Sequence, residues 1–278
     1  MRDPKAVVDE IEFLIREYGA NSIDFFDLTA IVKKQWILAF CAELAERNVK
    51  IAWQLPSGTR SEALDAETLL AIYEAGCRFL VYAPESGSEE TLRKIKKKLR
   101  LPRLVKSVRA ATAIGHTVKI NLIIGLPHER LRNVLQTILF ACKLALMGAE
   151  DCNISVFTPY PGSELFNELR ESGVISAVDD NYFRSLIIQF DLTASSSFAP
   201  HLRGWQLLIA RICGQSLFYL LSYSLHPNRI VRLLRGLCSS GRFQPSNLFE
   251  QRISDFLARR RLTKTGRVSL SNHGIRVG

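Results

Sequence analysis

A chain of 278 residues, nearly half of them apolar, can bury a large core, which excludes both an intrinsically disordered protein and a disulfide-stapled miniature domain. The formal net charge of +10 lies largely after residue 200 and ends in Arg259, Arg260 and Arg261, a pattern that suits anionic lipid, nucleic acid or simply a solvated basic tail. No aromatic residues interleave with the arginines and no nucleic-acid-binding module is present, so nucleic acid is not expected.

Six cysteines, Cys41, Cys77, Cys142, Cys152, Cys213 and Cys238, have no short spacing between any two. That excludes a zinc ribbon, a CxxC redox site and a cluster held by neighbouring thiolates, and leaves core packing as their ordinary role. No signal-peptide pattern opens the chain, so a reduced cytoplasmic setting is expected.

In chain order, Asp3 reads as a helix cap with Pro4 in the first turn, and Val7, Val8, Ile11, Phe13, Leu14 and Ile15 form an apolar stripe. From Ser22 to Phe157 short β-like runs alternate with helical ones. The series is SIDFF, a helix over 33–47, KIAWQL, a helix over 65–75, RFLVYA, helices over 88–99 and 102–114, TVKINLII, a helix over 130–148, and CNISVF. Such repetition predicts parallel strands joined by right-handed crossover helices, curling toward a barrel. Functional groups then belong at the C-terminal strand ends, which carry Asp27 and Thr29, Pro56 to Arg60, Glu85 to Ser88, Gly125 to Glu129, and Thr158 to Ser163.

The ordered strand ends resemble the radical S-adenosylmethionine (radical SAM) superfamily over about residues 1–175. Phe79 to Leu92, FLVYAPESGSEETL, is similar to its fourth-strand pattern, Ile120 to Glu129, INLIIGLPHE, to its fifth-strand GxIxGxxE motif, and Phe157 to Leu165, FTPYPGSEL, to its sixth-strand turn. Ala75-Gly76-Cys77 is usual in the branch that carries an N-terminal cobalamin-binding domain. The resemblance implies an α/β fold, a partial parallel (β/α) barrel, and S-adenosylmethionine chemistry such as methylation or hydrogen abstraction through a 5′-deoxyadenosyl radical. It implies cofactor contacts at Glu85, Ser86, Gly125 and Glu129, with Asp27 and Arg60 toward the charged methionine end; no catalytic residue is assigned. Residue chemistry agrees. The cofactor needs carboxylate or hydroxyl acceptors, backbone amides and an apolar wall, Gly125 permits close backbone approach, and Glu129 can equally cap its turn.

The sequence departs from the family at the first strand and its CxxxCxxC loop, whose thiolates hold the 4Fe–4S cluster; neither precedes the first helix here. The expectation is therefore a C-terminal portion of a radical SAM enzyme, truncated before the cluster loop and inactive alone, with cobalamin arriving through a missing N-terminal domain and no metal site of its own. A degenerate barrel acting as a binding or membrane-associated partner is the alternative. An aldolase-like barrel is a third reading, kept open by Lys119 on the fourth strand.

Beyond the barrel the sequence suggests a linker over 176–202, a helical extension over 203–260 and a basic disordered tail over 261–278. The apolar stretch 205–225 has the length to span a bilayer, yet it contains Arg211 and Gln215, and an arginine at a membrane centre costs roughly 2.5–3.5 kcal/mol on insertion scales. Arg229, Arg232 and Arg235 follow at a spacing of three beside apolar residues. Residues 205–237 thus fit either helices packed on the barrel or a peripheral contact at the inner face of the membrane. The substrate class is a small molecule or a lipid.

Overall fold

The computed structural model describes residues 2–26, 33–59, 64–187, 196–238, 247, 249–254 and 256, without the side chains of 57–59, 187 and 236–238. Five strands, β1 (Ser22–Asp24), β2 (Ala52–Thr59), β3 (Cys77–Glu85), β4 (Thr117–Ile124) and β5 (Asp151–Val156), pair in parallel in the order β1-β2-β3-β4-β5. Between them run α2 (Lys34–Glu46), α3 (Ala66–Glu74), α4 (Glu89–Lys94) with α5 (Leu101–Ile114), and α6 (Leu131–Leu146), while α1 (Pro4–Tyr18) precedes β1. The arrangement is a partial parallel (β/α) barrel of the expected class.

Local chemistry sets the helix ends. Asp3 accepts from Lys5 N at 3.2 Å ahead of α1, Asp65 accepts from Thr68 N at 2.9 Å ahead of α3, and Ser88 accepts from Thr91 N at 3.4 Å ahead of α4. The helix-facing sides of the strands, including Leu80, Tyr82, Val118, Ile120, Leu122, Cys152 and Ile154, are fully buried against the crossover helices. Each apolar side chain so buried contributes about 1.5–3 kcal/mol. Phe25, Trp36, Phe40 and Trp53 stack and cross edge to face, fastening α2 over β2.

Cys41, Cys77 and Cys152 are buried as small core residues, whereas Cys142 is half-buried and Cys213 is exposed. Burial pushes the Cys41 and Cys77 thiols up to about 12 and holds Cys152 well above its ordinary value, so none is a ready thiolate.

At the far edge, α7 (Glu164–Glu171) and α8 (Asp180–Ile187) form a second apolar cluster in which Phe166, Leu169 and Tyr182 pack with Leu126 and Phe157 from the strand-end loops. The stretch 176–202 therefore contains a helix docked on the barrel. Helix α9 (Gly204–Leu225) packs on β5 and α6, and the compact unit runs through Leu225, so α9 belongs with the barrel.

A second unit begins at His226. In it, α10 (Pro227–Cys238) carries Arg232, which bonds at 2.8 Å to the fully buried Glu250 of a short helical segment capped by Asn247.

Candidate functional site

The two faces of β4 and β5 have opposite characters. Ile120, Leu122 and Ile124 on β4, and Cys152, Ile154 and Val156 on β5, point into the helices. The alternate residues form cross-strand pairs on the concave face, Lys119 with Asp151, Asn121 with Asn153, and Ile123 with Ser155. Strands buried on both faces are ordinarily apolar throughout, so this polar ladder costs stability unless something uses it.

A cavity of about 600 Å³ opens over that ladder at the C-terminal strand ends, within the size range of small-molecule sites. Ala83 and Glu85 line it from β3, Asn121 and Ile123 from β4, and Asn153, Ser155 and Phe157 from β5 and its following loop. Asn153 Nδ2 donates to Ser155 Oγ at 3.0 Å, which fixes that amide. Asn121 differs, because its buried Oδ1 has no hydrogen-bond partner. A buried acceptor left unpaired costs about 1–3 kcal/mol. An incoming hydroxyl or ammonium would remove that cost.

Glu85 reaches the cavity through an irregularity. The β3–β4 register shifts between Tyr82 and Glu85, inserting an extra residue on β3, and Glu85 itself sits at φ 68. The left-handed region costs a non-glycine residue roughly 1–2 kcal/mol, and such strain gathers at functional sites. Lys97 donates to Glu85 Oε1 at 3.0 Å from the rim.

The other expected residues are placed differently. Ser86 is fully buried and does not line the cavity; its hydroxyl meets Thr137 Oγ1 of α6 at 2.9 Å and accepts from Ser88 N at 3.1 Å. Gly125, at φ 82, gives its N–H to Glu129 Oε2 at 2.7 Å, and a Cβ there would lie 2.6 Å from Leu207 of α9. Its close approach in this structure is thus to α9. Glu129 is fully buried and accepts from Gly125 N, Leu126 N at 3.1 Å and Thr91 Oγ1 at 3.1 Å, binding the loop after β4 to α4. Burial holds its carboxyl above the usual carboxylate range, against the lowering effect of those bonds. Asp27 and Arg60 lie outside the described residues. Glu85 is therefore the expected residue placed at the cavity, while Ser86, Gly125 and Glu129 build the frame around it.

Sequence reading overlooked Asn121, Asn153 and Ser155. Their signal was present as polar residues at every second position of two strands predicted to be core.

Below the cavity, Asp151 is buried and receives a hydrogen bond from the Tyr219 hydroxyl of α9, while Lys119 Nζ stands 3.6 Å from its other oxygen. Burial first, then the Asp151 charge, raises the Tyr219 phenol far above its ordinary value, so it stays a donor. An ammonium paired with a buried carboxylate is a poor carbonyl nucleophile, which weakens the aldolase-like reading. Among the described residues no three His, Cys, Asp or Glu side chains gather in a way that could hold a metal ion.

No family model matches the chain. Among curated proteins it is 29% identical over 160 residues to an uncharacterized methyltransferase from Pyrococcus horikoshii, covering 58% of this chain and 34% of that protein. It is 25% identical over 170 residues to the anaerobic magnesium-protoporphyrin IX monomethyl ester cyclase of Rubrivivax gelatinosus, covering 61% and 30%. It is also 27% identical over 190 residues to the cytidylyl-2-hydroxyethylphosphonate methyltransferase of Streptomyces wedmorensis, covering 65% and 34%. The chain thus spans about a third of the length of these relatives. Among solved structures, the radical S-adenosylmethionine methyltransferase TsrM from Kitasatospora setae, with cobalamin and a [4Fe–4S] cluster bound, aligns with 96% of this chain and 55% of its own at a TM-score of 0.55 and 17% identity, a likeness of fold.

Proposed function

We propose that this chain, which resembles the cobalamin-binding branch of the radical SAM superfamily in its ordered strand-end motifs and shares the fold of a radical S-adenosylmethionine methyltransferase, supplies the cofactor-cradling part of such an enzyme. The mouth over β3, β4 and β5 takes S-adenosylmethionine. The observation that carries this reading is the orphaned Asn121 Oδ1, buried in the mouth beside the strained Glu85. The ribose hydroxyls and the ammonium of S-adenosylmethionine are donors of the kind that Asn121 Oδ1 lacks and that the Glu85 carboxylate can accept, and Ile123 and Phe157 offer an apolar wall for the flat adenine.

When bound, S-adenosylmethionine supplies the methyl group or radical that the chemistry uses. This chain's residues orient it: Asn121 and Glu85 by hydrogen bonding, and Gly125 and Glu129 by holding the loop beside the mouth. A 4Fe–4S cluster does not fit the described residues, which offer no group of thiolates. Its ligands, and any cobalamin-binding domain, would be supplied from outside them, and the chain alone is not expected to turn over. The substrate would be a small molecule or a lipid.

Equilibrium dialysis of S-adenosylmethionine tests the cradle. Asn121→Leu and Glu85→Gln should each weaken binding at least about tenfold, or about 1.4 kcal/mol. Asn121→Leu should leave the unfolding midpoint unchanged or raised, because it removes a buried acceptor without a partner. Equal binding by both variants and the parent would overturn the assignment of the mouth. Separately, anaerobic incubation with iron and sulfide should give no stoichiometric visible absorbance from thiolate-bound iron; its appearance would refute an outside origin for the cluster ligands.

A further inference from the structure

Helix α9 is apolar on its outer flank as well as on the inner one, where Leu207 and Phe218 join the core. It turns Arg211, 2% exposed, toward the protein together with Gln215 and Ser222, and turns Trp205, Ile209, Ile212, Leu217 and Leu220 to solvent. No exposed position between Gly204 and Leu225 carries a charge. Beside it, α6 exposes Leu135 and Leu139, the latter 68% exposed. Apolar faces of this extent mark interaction surfaces.

We infer that the outer face of α9, with the adjoining leucines of α6, docks flat on an anionic lipid bilayer. Charge selects this occupant. Residues 196–225 contain no Asp or Glu and expose Arg203 just ahead of α9, and α6 likewise has no acidic residue and exposes Lys143. An apolar strip whose exposed neighbouring charges, Arg203 and Lys143, are cationic is complementary to an anionic headgroup layer and its acyl boundary. At about 1.5 Å per residue the 22 residues of α9 would lie along about 33 Å of that boundary. The helix is long and apolar enough to cross a membrane, yet its buried polar side chains and Gly214, where a Cβ would lie 2.9 Å from Ile154 and 3.1 Å from Ile138, keep one flank packed on β5 and α6. It therefore lies on the bilayer and does not span it. This inference is independent of the cofactor assignment.

The test is co-sedimentation of the full chain with phosphatidylcholine vesicles, with and without about a quarter phosphatidylglycerol, in about 0.1 M salt. Binding is expected to the anionic vesicles and to be at least about tenfold weaker to neutral ones. The double variant Ile209→Glu/Leu220→Glu should weaken anionic binding at least about tenfold and keep its circular dichroism, while Leu70→Glu, an exposed apolar position on α3, should change nothing. Three results would overturn the inference. One is no binding to anionic vesicles. Another is binding that the α9 variant leaves intact, which would assign it to basic residues elsewhere. The third is a solution oligomer that the α9 variant dissociates without any vesicle binding, which would make this face a protein interface.

Discussion

Glu129 carries out a structural task with a charged group. Its raised pKa means that the neutral form is favoured more in the folded protein than in the unfolded chain. That contribution is fully present below the unfolded carboxylate value near 4.5 and is lost as pH rises through the folded value. Glu129→Gln can keep all three hydrogen bonds, with its amide oxygen on Gly125 N and Leu126 N and its amide nitrogen donating to Thr91. It should therefore gain stability relative to the parent as pH rises through that window, whereas Glu129→Ala should lose about 2–4 kcal/mol by orphaning buried donors. Urea titrations at about pH 4 and pH 7 would check both; a parent that gains on the Gln variant with rising pH contradicts the argument. Glu85 offers the opposite case. Glu85→Gly relieves the left-handed backbone and should match or exceed the parent in thermal unfolding while losing at least about tenfold in S-adenosylmethionine binding, the signature of strain kept for function.

At the scale of elements, the polarity of a strand face and the docking of α9 are linked. Tyr219 reaches from α9 to the buried Asp151 at the base of β5, so Tyr219→Phe should lower the unfolding midpoint by several degrees, about 1–3 kcal/mol, through a carboxylate left short of a donor. No change would mean that another donor replaces the phenol. Most elements were legible in sequence because their signals are local: Asp3, Asp65 and Ser88 mark helix starts, and five apolar runs mark the strands. Two boundaries moved for tertiary reasons. The helix expected over 88–99 stops at Lys94, with Lys96 at φ 56 and Lys97 turned back to Glu85. Strand β2 runs on through Pro56 to Thr59, where the pairing shifts register after Leu55, although Pro-Ser-Gly reads as a turn. The site was less legible. Ser86, Gly125 and Glu129 belong to recognisable motifs, yet their partners here are Thr137, Leu207 and Thr91, contacts between segments far apart in sequence.

For the whole molecule, the two flanks of α9 separate two kinds of demand on one helix. Its inner flank joins the core through Leu207 and Phe218 and places Arg211, Gln215 and Ser222 inside, while its outer flank is free to be apolar. In sequence these flanks average into a weakly amphipathic helix interrupted by Arg211, the residue that argues against a spanning reading of 205–225. The arginine is on the side where the protein is.

The strand order has a consequence in time. Each strand pairs with the one made just before it, so a chain leaving the ribosome can extend its sheet one βα unit at a time without waiting for a distant partner. Helix α9 breaks that sequence of arrivals. Until it is synthesised, the sides of β5 and α6 that it will cover remain open. Pulse-labelled hydrogen exchange on ribosome-bound chains ending near residue 200 should find β2 to β4 already protected and β5 still exchanging, with protection of β5 arriving only after Leu225 has emerged.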